Sequence, residues 1–407
     1  MGLSPAVILS GHTMALGVTR ALGGMGVPIV SVHHDPRDMA HFSKFVVEEI
    51  PAPHPAKYED AYIELLLQLA KRFGNSLLIP TSDETLTIVS KHKETLARHF
   101  IVACTDWDIT QKFINKKHTH LLAVRAGVPV PRTVVPQSRA EVERYLESIE
   151  FPCLVKPCQG HLYYEQFKRK MTTAENPDEL LSAYLQATER GLEVMLQEII
   201  PGDDSLGANY NAYFWDDRPL AEFTAQQLRN APPSFGSPRV VVSEEIPEVI
   251  EPGRRILRAL GFYGYACTEF KKDPRDGVYK LMEVNGRHNL STLLAVRCGI
   301  NFPWLQYQHL VMGQTPSASA PLRHVYWIDI TRDIGYSLMY LPHERLSLAQ
   351  FLRPYLGQRV CAIFSLRDPK PFIKRLAYLI TQAALTLLSR VQRKQPVVTD
   401  TSKVYSA

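Results

Sequence analysis

The sequence of 407 residues lacks several features that mark particular classes of protein. Its six cysteines are scattered, with no C-x-x-C pair and no cysteine and histidine spacing typical of zinc sites, so we expect reduced and mostly buried thiols. No internal repeat or low-complexity tract is present. The amino terminus has no basic region followed by an apolar signal core, and the sequence therefore predicts a cytoplasmic location.

A large excess of charge of one sign is also missing. The 46 Lys and Arg residues and the 41 Asp and Glu residues give a net charge of only +5, and no basic run is long enough to follow a nucleic-acid backbone. We therefore expect no nucleic-acid partner, and the small excess mildly favours anionic ligands. Hydrophobic residues make up 45% of the chain, which is typical of a folded protein, and the length predicts two or three domains.

Short apolar runs alternate with helical patterns through the amino-terminal part of the chain. The runs cover residues 6–10, 27–32, 77–80 and 100–103. This alternation predicts parallel strands covered by helices. The turn from Gly11 to Gly17 reads G-x-x-x-x-x-G rather than G-x-G-x-x-G, so a dinucleotide site is not indicated.

Polar residues follow two of these predicted strands. His12 and Thr13 come after the first run, and Asp83 comes after the third. Ligands of open α/β sheets bind at the carboxyl ends of the strands, so these three residues are candidate substrate contacts. Capping of a helix is the other interpretation for each of them.

A turn sequence, D-P-R-D-G at residues 273–277, lies between two β-type runs and predicts a hairpin. With the hairpin closed directly around this turn, Glu269 would face Leu281 across the two strands. Met282 and Val284 would then turn towards the core.

Glu269, Glu283 and Asn285 would lie along one face of this hairpin. Two carboxylates and an amide oxygen are hard ligands that suit Mg²⁺. A solvated row of carboxylates is the other interpretation of the same pattern. Arg287, two positions beyond Asn285, adds a cation of the kind that holds a phosphate or a carboxylate.

Lys156 lies in the apolar run F-P-C-L-V-K-P, which leads into a glycine loop. An unpaired lysine in such a strand would be costly, so we expect an anionic partner, which is either a ligand or a carboxylate in a structural salt bridge. Lys116 lies on a predicted helix and cannot be distinguished from a surface lysine by pattern alone.

Taken in order along the chain, these residues resemble the motifs of the ATP-grasp superfamily. The matching elements are Lys116, Lys156-Pro157, Q-E-I-I-P-G at residues 197–202, Glu269, and E-V-N-G-R at residues 283–287. Within the superfamily, the chain is similar to carboxylate–amine ligases related to D-aspartate ligase, over about residues 5–315.

The resemblance implies an α/β (α+β) architecture in four parts. A pre-ATP-grasp, Rossmann-like parallel α/β domain would cover residues 1–112. A two-lobed ATP-grasp fold would follow, with a small lid subdomain at 113–192 and a large subdomain, including the metal site, at 193–315. A helical C-terminal appendage with an apolar helix and a disordered tail would occupy 316–407.

The resemblance also implies an ATP site. Two lysines and a glycine loop would bind the phosphates, a hinge run would contact adenine, and an aspartate would contact the ribose. The residues with these roles, in that order, are Lys116, Lys156, Gly160, Gln197, Glu198, Ile200 and Asp204.

Metal and catalytic roles follow from the same resemblance. Glu269, Glu283 and Asn285 would hold Mg²⁺, as two ions, with Mn²⁺ as a substitute. Arg287 and Lys156 would act on the reacting phosphoryl or carboxylate group.

The implied activity is the joining of a small-molecule carboxylate to an amine. ATP would convert the carboxylate into an acyl phosphate, the amine would attack it, and ADP and phosphate would be released. Another ATP-grasp chemistry, such as ATP-dependent carboxylation, is one alternative. A non-catalytic nucleotide-binding protein is another, although it would be expected to have lost metal ligands that this chain retains.

One feature departs from the family pattern, and one matching segment contains a further candidate residue. Gly160 is followed by His161 and then by two tyrosines, where small residues are usual, so the way the loop would contact phosphate is open. The segment 224–236 corresponds, in similar proteins, to a loop near the acceptor site. Arg229 in this segment is therefore a candidate substrate contact, and a solvent-facing arginine is the alternative.

An uncharged run at residues 376–389 lies near the carboxyl terminus and has basic residues on both sides. It is too short to cross a bilayer. Because the run is apolar nearly all round, we expect it to pack in a groove, to pack at the interface of a homo-oligomer, or to lie on a membrane surface as a peripheral contact. Residues after Gln395 are expected to be disordered.

Overall fold

The computed structural model of the protein describes residues 2–317, 320–340 and 346–393. Within these ranges the chain forms three β-sheets with helices packed against them, which confirms the predicted mixed α/β class. All six cysteines are free thiols, and five of them are buried, as predicted.

A five-stranded parallel sheet forms the first unit. Its elements, with the two helices that follow, are β1 (Ala6–Leu9), α1 (Thr13–Gly23), β2 (Ile29–His33), β3 (Val46–Pro51), α2 (Glu59–Phe73), β4 (Leu77–Pro80), α3 (Asp83–Lys91), α4 (Lys93–Leu96), β5 (Ile101–Val102), α5 (Trp107–Ile114) and α6 (Lys116–Arg125). The strand order is β3-β2-β1-β4-β5. In β1, Val7 and Leu9 pack in one hydrophobic cluster and Ala6 and Ile8 in another, so both faces of the sheet are buried.

The direction in which strands are added reverses between β1 and β4. The chain first builds outward from β1 to β3 and then returns to place β4 on the other side of β1. The carboxyl ends of β1 and β4 therefore lie side by side, at the position where open α/β sheets bind ligands. Helix α1 begins at Thr13 and helix α3 at Asp83, so the predicted candidates meet at this edge.

A four-stranded antiparallel sheet forms the second unit. Its elements are β6 (Thr133–Val134), α7 (Arg139–Leu146), β7 (Cys153–Pro157), α8 (Gly160–Phe167), β8 (Thr172–Ala174), α9 (Pro177–Thr188) and β9 (Val194–Glu198). The strand order is β6-β9-β7-β8. Strand β9 pairs with β6 and β7, so the predicted boundary after residue 192 lies inside this unit and not at its end.

A seven-stranded sheet dominates the third unit. Its elements up to residue 312 are β10 (Gly207–Trp215), β11 (Arg218–Ala231), β12 (Ser237–Ser243), α10 (Pro247–Leu260), β13 (Gly264–Lys272), β14 (Tyr279–Asn285), α11 (Thr292–Arg297) and α12 (Phe302–Met312). In β10, Tyr210 and Phe214 pack in the hydrophobic core with α10, while the alternate residues Asn209 and Asn211 lie on the opposite face. That face also carries Glu269, the register partner of Asn209.

The C-terminal segment is only partly an appendage. Its elements are β15 (Tyr326–Ile328), α13 (Ile330–Tyr340), α14 (Leu348–Leu356), β16 (Arg359–Cys361) and α15 (Lys370–Arg393). Strand β15 pairs with β12, and β16 pairs with β15, which gives the complete order β14-β13-β10-β11-β12-β15-β16. The predicted appendage from residue 316 onward therefore extends the large sheet by two strands.

The apolar run predicted at residues 376–389 lies within α15. None of the helices in the described part of the chain combines the length and the apolar character that a bilayer span requires. The tail predicted after Gln395 lies outside the described residues.

Candidate functional site

The turn between β13 and β14 is built around the buried carboxylate of Asp273. This carboxylate accepts hydrogen bonds from the N–H of Arg275 at 3.0 Å, from the Arg275 side chain and from Lys280. Hydrogen bonding to Arg275 lowers the pKa of Asp273 well below its ordinary value. Gly277 completes the turn at φ +74°, a conformation that favours glycine. The predicted hairpin therefore forms at the predicted turn.

The register of the hairpin differs from the predicted one. Next to the turn, Phe270 pairs with Leu281, but an irregularity then shifts the register so that Glu269 pairs with Glu283. The predicted pairing of Glu269 with Leu281 is wrong for two reasons: the strands pair from Lys272 and Tyr279, one residue further from the turn than predicted, and β14 then carries an extra residue, as in a β-bulge. Met282, at that position, lines the cleft described below instead of turning to the core.

Glu269, Glu283 and Asn285 converge on one face, as predicted. Asn285 Nδ2 donates a hydrogen bond to Glu269 Oε1 at 3.1 Å, and Glu283 is the register partner of Glu269. Burial and the neighbouring Glu283 carboxylate raise the pKa of Glu269. Two adjacent carboxylates repel each other, and together with the neighbouring amide oxygen they offer several oxygen ligands. These residues therefore fit a divalent cation.

Lys116 reaches this group of acidic residues directly. Lys116, the first residue of α6, forms an ion pair with Glu283 through Nζ. Burial alone would raise the pKa of Glu283, but the Lys116 ammonium lowers it below its ordinary value. The pattern of residues around Lys116 gave no sign of this partner.

Lys156 projects from β7 and is only 7% exposed. Its Nζ donates to Gln197 Oε1 at 3.2 Å and to the Met282 carbonyl at 3.3 Å. Both acceptors are uncharged, and burial together with the nearby Lys116 lowers the pKa of Lys156 to about 8. A buried ammonium with neutral acceptors is suited to an anionic ligand.

A narrow cleft lies between α6, the second unit and the β13–β14 hairpin. Its polar lining consists of Lys116, Thr119, His120, Lys156, Gln197 and Glu283. Its apolar lining is formed by Phe113, Val130, Met195, Leu281, Met282 and Val284. Apolar walls with cations and a carboxylate among them can hold a flat aromatic group joined to an anionic one.

The hinge residues take different positions. Gln197 reaches the cleft, where its Nε2 also donates to Thr133 Oγ1 at 2.8 Å. The N–H of Glu198 donates to the carbonyl of Arg132 at 3.0 Å, and its carboxylate accepts from the N–H of Arg132 at 2.7 Å. The carbonyl of Ile200 accepts from Lys271 at 2.9 Å. Of the three predicted adenine contacts, the structure thus brings the side chain of Gln197 into the cleft.

Asp204 does not present a free carboxylate to the cleft. Its oxygens accept hydrogen bonds from the N–H of Asn230 at 2.8 Å and the N–H of Ser234 at 2.9 Å. The carboxylate therefore holds the turn between β11 and β12. The predicted ribose contact is not supported, because the carboxylate is engaged in these hydrogen bonds. Their donors lie far along the chain and could not be inferred from the hinge motif.

Arg229 is buried and paired within the protein. Its guanidinium donates to both carboxylate oxygens of Asp333, at 2.9 and 2.7 Å, and stacks 5.1 Å from the ring centre of Phe351. Both interpretations of Arg229, as a substrate contact and as a solvent-facing residue, are contradicted. Its partners belong to α13 and α14, whose position the sequence did not predict.

Arg287 lies where the first and third units meet. Its guanidinium donates to Asp83 at 2.6 and 3.0 Å, and to the Sδ atom of Met14 at 3.3 Å. His12, which precedes α1, pairs through Nδ1 with Asp38 at 3.0 Å. The structure therefore places Arg287, Asp83 and the beginning of α1, which starts at Thr13, at one edge of the parallel sheet.

The second unit also contributes a lysine that sequence reasoning missed. Lys170, between α8 and β8, donates to Ser237 Oγ at 3.2 Å, and its charge acts to lower the pKa of Glu269. The basic run K-R-K at residues 168–170 was the only available signal. Gly160 begins α8, and a Cβ atom there would meet open space.

The chain is similar to proteins of known identity. D-aspartate ligase from Enterococcus faecium (strain Aus0004) is 30% identical over 284 residues, which cover 64% of this chain and just under two thirds, 65%, of that protein. No protein-family model matches the sequence.

Solved structures share the fold. The ADP complex of the N5-carboxyaminoimidazole ribonucleotide synthetase purK superimposes with a TM-score of 0.63 and 14% identity, over 84% of this chain and 86% of that one. L-amino acid ligase from Bacillus licheniformis gives a TM-score of 0.59 and 17% identity, over 79% and 76% of the two chains. This chain therefore shares the fold of these two enzymes.

The cleft lies between the two parts of the chain that the resemblance assigned to the ATP-grasp fold. Lys156 reaches it from the second unit, and Glu283 from the third. Each motif residue taken alone could be explained without a ligand. The fold nevertheless brings together the two lysines, Lys116 and Lys156, and the predicted metal ligands Glu269, Glu283 and Asn285.

Proposed function

We propose that the chain is an ATP-dependent ligase that joins a small-molecule carboxylate to an amine and releases ADP and phosphate. The similarity to D-aspartate ligase supports this reaction class. The reaction would pass through an acyl phosphate, because a free carboxylate has no adequate leaving group for attack by an amine. ATP would supply that leaving group as phosphate.

The observation that carries the proposal is the arrangement across the cleft. Lys116 and Lys156 lie on one side, and Glu269, Glu283 and Asn285 lie on the other, with the ion pair between Lys116 and Glu283 joining the two sides. Phosphoryl transfer depends mainly on positioning and on neutralisation of charge. Cations on one side and oxygen ligands for a metal on the other meet both requirements.

Glu269, Glu283 and Asn285 would hold Mg²⁺, and we propose two ions there. When bound, Mg²⁺ neutralises phosphate charge and orients the phosphoryl oxygens. Lys156 would donate to phosphate in place of its present acceptors, the Met282 carbonyl and Gln197. Lys116, which now pairs with Glu283, would be freed for the same purpose when a cation neutralises that carboxylate.

Arg287 would face the reacting carboxylate or phosphoryl group. Its position beyond Asn285 places it next to the metal-ligand group, and its pairing with Asp83 fixes the orientation of the guanidinium. Lys170 would hold the second unit against the third through Ser237, which limits access of water to the acyl phosphate.

The test is a screen for ADP release with paired carboxylates and amines in the presence of Mg²⁺. For each active pair, ¹⁸O in the carboxylate should appear in the released phosphate, as an acyl phosphate requires. Glu283→Ala should abolish ADP release, and the matched control Glu94→Ala, which removes a carboxylate that is 92% exposed, should not. ADP release that is unchanged in Glu283→Ala would contradict the assignment of this site.

A further inference from the structure

Helix α15 leaves the body of the protein part-way along its length. Its beginning is attached: Phe372 packs against the hydrophobic core, and Lys374 Nζ lies 4.9 Å from the ring centre of Phe42. Just before the helix, Asp368 pairs with Arg20 at 2.9 Å. From Thr381 to Leu385, in contrast, every side chain is exposed.

The exposed part of α15 is apolar and has no charge. Residues 376–389 contain no Asp, Glu, Lys, Arg or His. Ile373, Ile380 and Leu385 are 58%, 62% and 54% exposed, and Leu366, in the loop before the helix, is 86% exposed. Ile373 and Ile380 share one face of the helix with Leu376, which is 44% exposed, and exposed apolar side chains on one face indicate a site of contact with another molecule or with lipid.

The charged residues nearest to this run in the sequence, three on each side, are all basic. Residues 369–399 include no acidic residue, and the basic residues among them are Lys370, Lys374, Arg375, Arg390, Arg393 and Lys394. This segment therefore carries +6, whereas the whole chain carries +5, so the remaining residues together carry −1. The positive charge of the protein is thus concentrated beside its exposed apolar helix.

This charge pattern distinguishes between occupants of the surface. A second copy of α15 would bring six more positive charges against the first six, and like charges repel. An anionic lipid surface attracts basic residues and accepts apolar side chains at the same time. The 14 uncharged residues span about 21 Å as a helix, which is less than the bilayer core of about 30 Å, so the helix fits the plane of the interface.

We propose that α15 docks the protein on an anionic lipid bilayer, with its apolar side chains in the interface and its flanking basic residues at the lipid head groups. The segment is separate from the cleft that holds Lys156 and Glu283. The proposal therefore does not depend on the proposed ligase activity.

The test uses the full chain and sedimentation with vesicles of two compositions, phosphatidylcholine alone and phosphatidylcholine mixed with phosphatidylglycerol. The protein should bind the mixed vesicles, bind the neutral ones more weakly, and be released by salt. The double variant Ile380→Glu with Leu385→Glu should reduce partitioning by about tenfold or more, because it places charge in the apolar surface. Lys370→Glu, at an exposed position, should also weaken binding.

Val47→Glu is the matched control, because Val47 is 67% exposed in β3 of the first unit and its substitution should leave vesicle binding unchanged. All variants should keep the melting temperature of the parent, since the changed side chains are exposed. Absence of binding to the mixed vesicles, or equal binding by the double variant, would overturn the proposal. A dimer of the parent in sedimentation velocity that the double variant dissociates would instead assign the surface to a second copy.

Discussion

Arg287 and Asp83 are 204 residues apart in the chain and form a two-point ion pair, with N to O distances of 2.6 and 3.0 Å. Asp83 starts α3 at the edge of the parallel sheet, and Arg287 follows β14 of the large sheet. The pair therefore connects the predicted substrate edge of the first unit to the metal-ligand group of the third.

Replacement of Asp83 by alanine should lower turnover with little effect on ATP affinity. Without its partner, the Arg287 guanidinium can rotate away from the reacting group, and misplacement of a catalytic group by about 1 Å can cost about a hundredfold in rate. Steady-state kinetics would measure this, with Asp60→Ala as a control at an exposed position in α2. An equal loss of ATP affinity would show that the pair acts on the nucleotide instead.

ATP affinity should fall as pH rises above about 8, because burial lowers the pKa of Lys156 to about 8 in the free protein. The charged lysine, which we propose as the phosphate-binding form, predominates below that pH, so Kd should rise by about tenfold for each pH unit well above it. Lys156→Met should bind ATP more weakly and without this dependence. Calorimetry of both proteins would measure it, and a parent affinity that stayed constant to about pH 10 would contradict the role of Lys156.

Replacement of Arg229 by alanine should destabilise the fold and leave substrate affinity unchanged. Asp333, which also accepts from Tyr355 at 2.6 Å, would lose its two-point partner but keep Arg239 at 3.4 Å, and loss of hydrogen bonds to a buried charged group costs about 1.5–3 kcal/mol. Denaturant unfolding would measure the loss, with Arg98→Ala, at a 69% exposed side chain, as control. Parent-like stability together with a raised KM for a substrate would restore Arg229 as a substrate contact.

Replacement of Asp273 by asparagine should reduce the stability of the fold at neutral pH. It should also remove part of the loss of stability that the parent shows as pH falls. Because the Arg275 hydrogen bond depresses the pKa of Asp273, this carboxylate stabilises the fold above its unfolded pKa of about 3.9. That contribution is lost as pH falls through the depressed pKa of the folded state. The expected cost at neutral pH is about 1–3 kcal/mol of unfolding free energy. Equal unfolding curves for both proteins at neutral pH would exclude this role of the turn.

Local patterns allowed much of the site to be predicted. The turn chemistry at residues 273–277 defined the hairpin, and the alternation of side chains along a strand placed Glu283 and Asn285 on one face. The register near Glu269 could not be predicted, because a bulge is not visible in the sequence pattern. A displacement of one residue at the turn and one extra residue at the bulge together exchange Leu281 for Glu283 as its partner.

The incorrect predictions concern residues whose partners are distant in the chain. Arg229 pairs with a residue 104 positions away, and Asp204 with one 26 positions away. Neither partner belongs to a motif, so no pattern in the sequence indicated these pairs. Arg229 and Asp204, which lie near motifs, were therefore predicted to bind ligands. The joining of β15 and β16 to the large sheet was missed for the same reason.

The most direct test of the account measures ATP binding by calorimetry with Mg²⁺ and with a chelator. The parent should bind ATP at least about tenfold more tightly with Mg²⁺, since the ion neutralises charge between phosphate and the acidic side chains. In the double variant Glu269→Gln with Glu283→Gln, that gain should disappear, while metal-free ATP should bind as well as it does to the parent or better. Full retention of the Mg²⁺ effect in the variant would show that these carboxylates do not hold the metal.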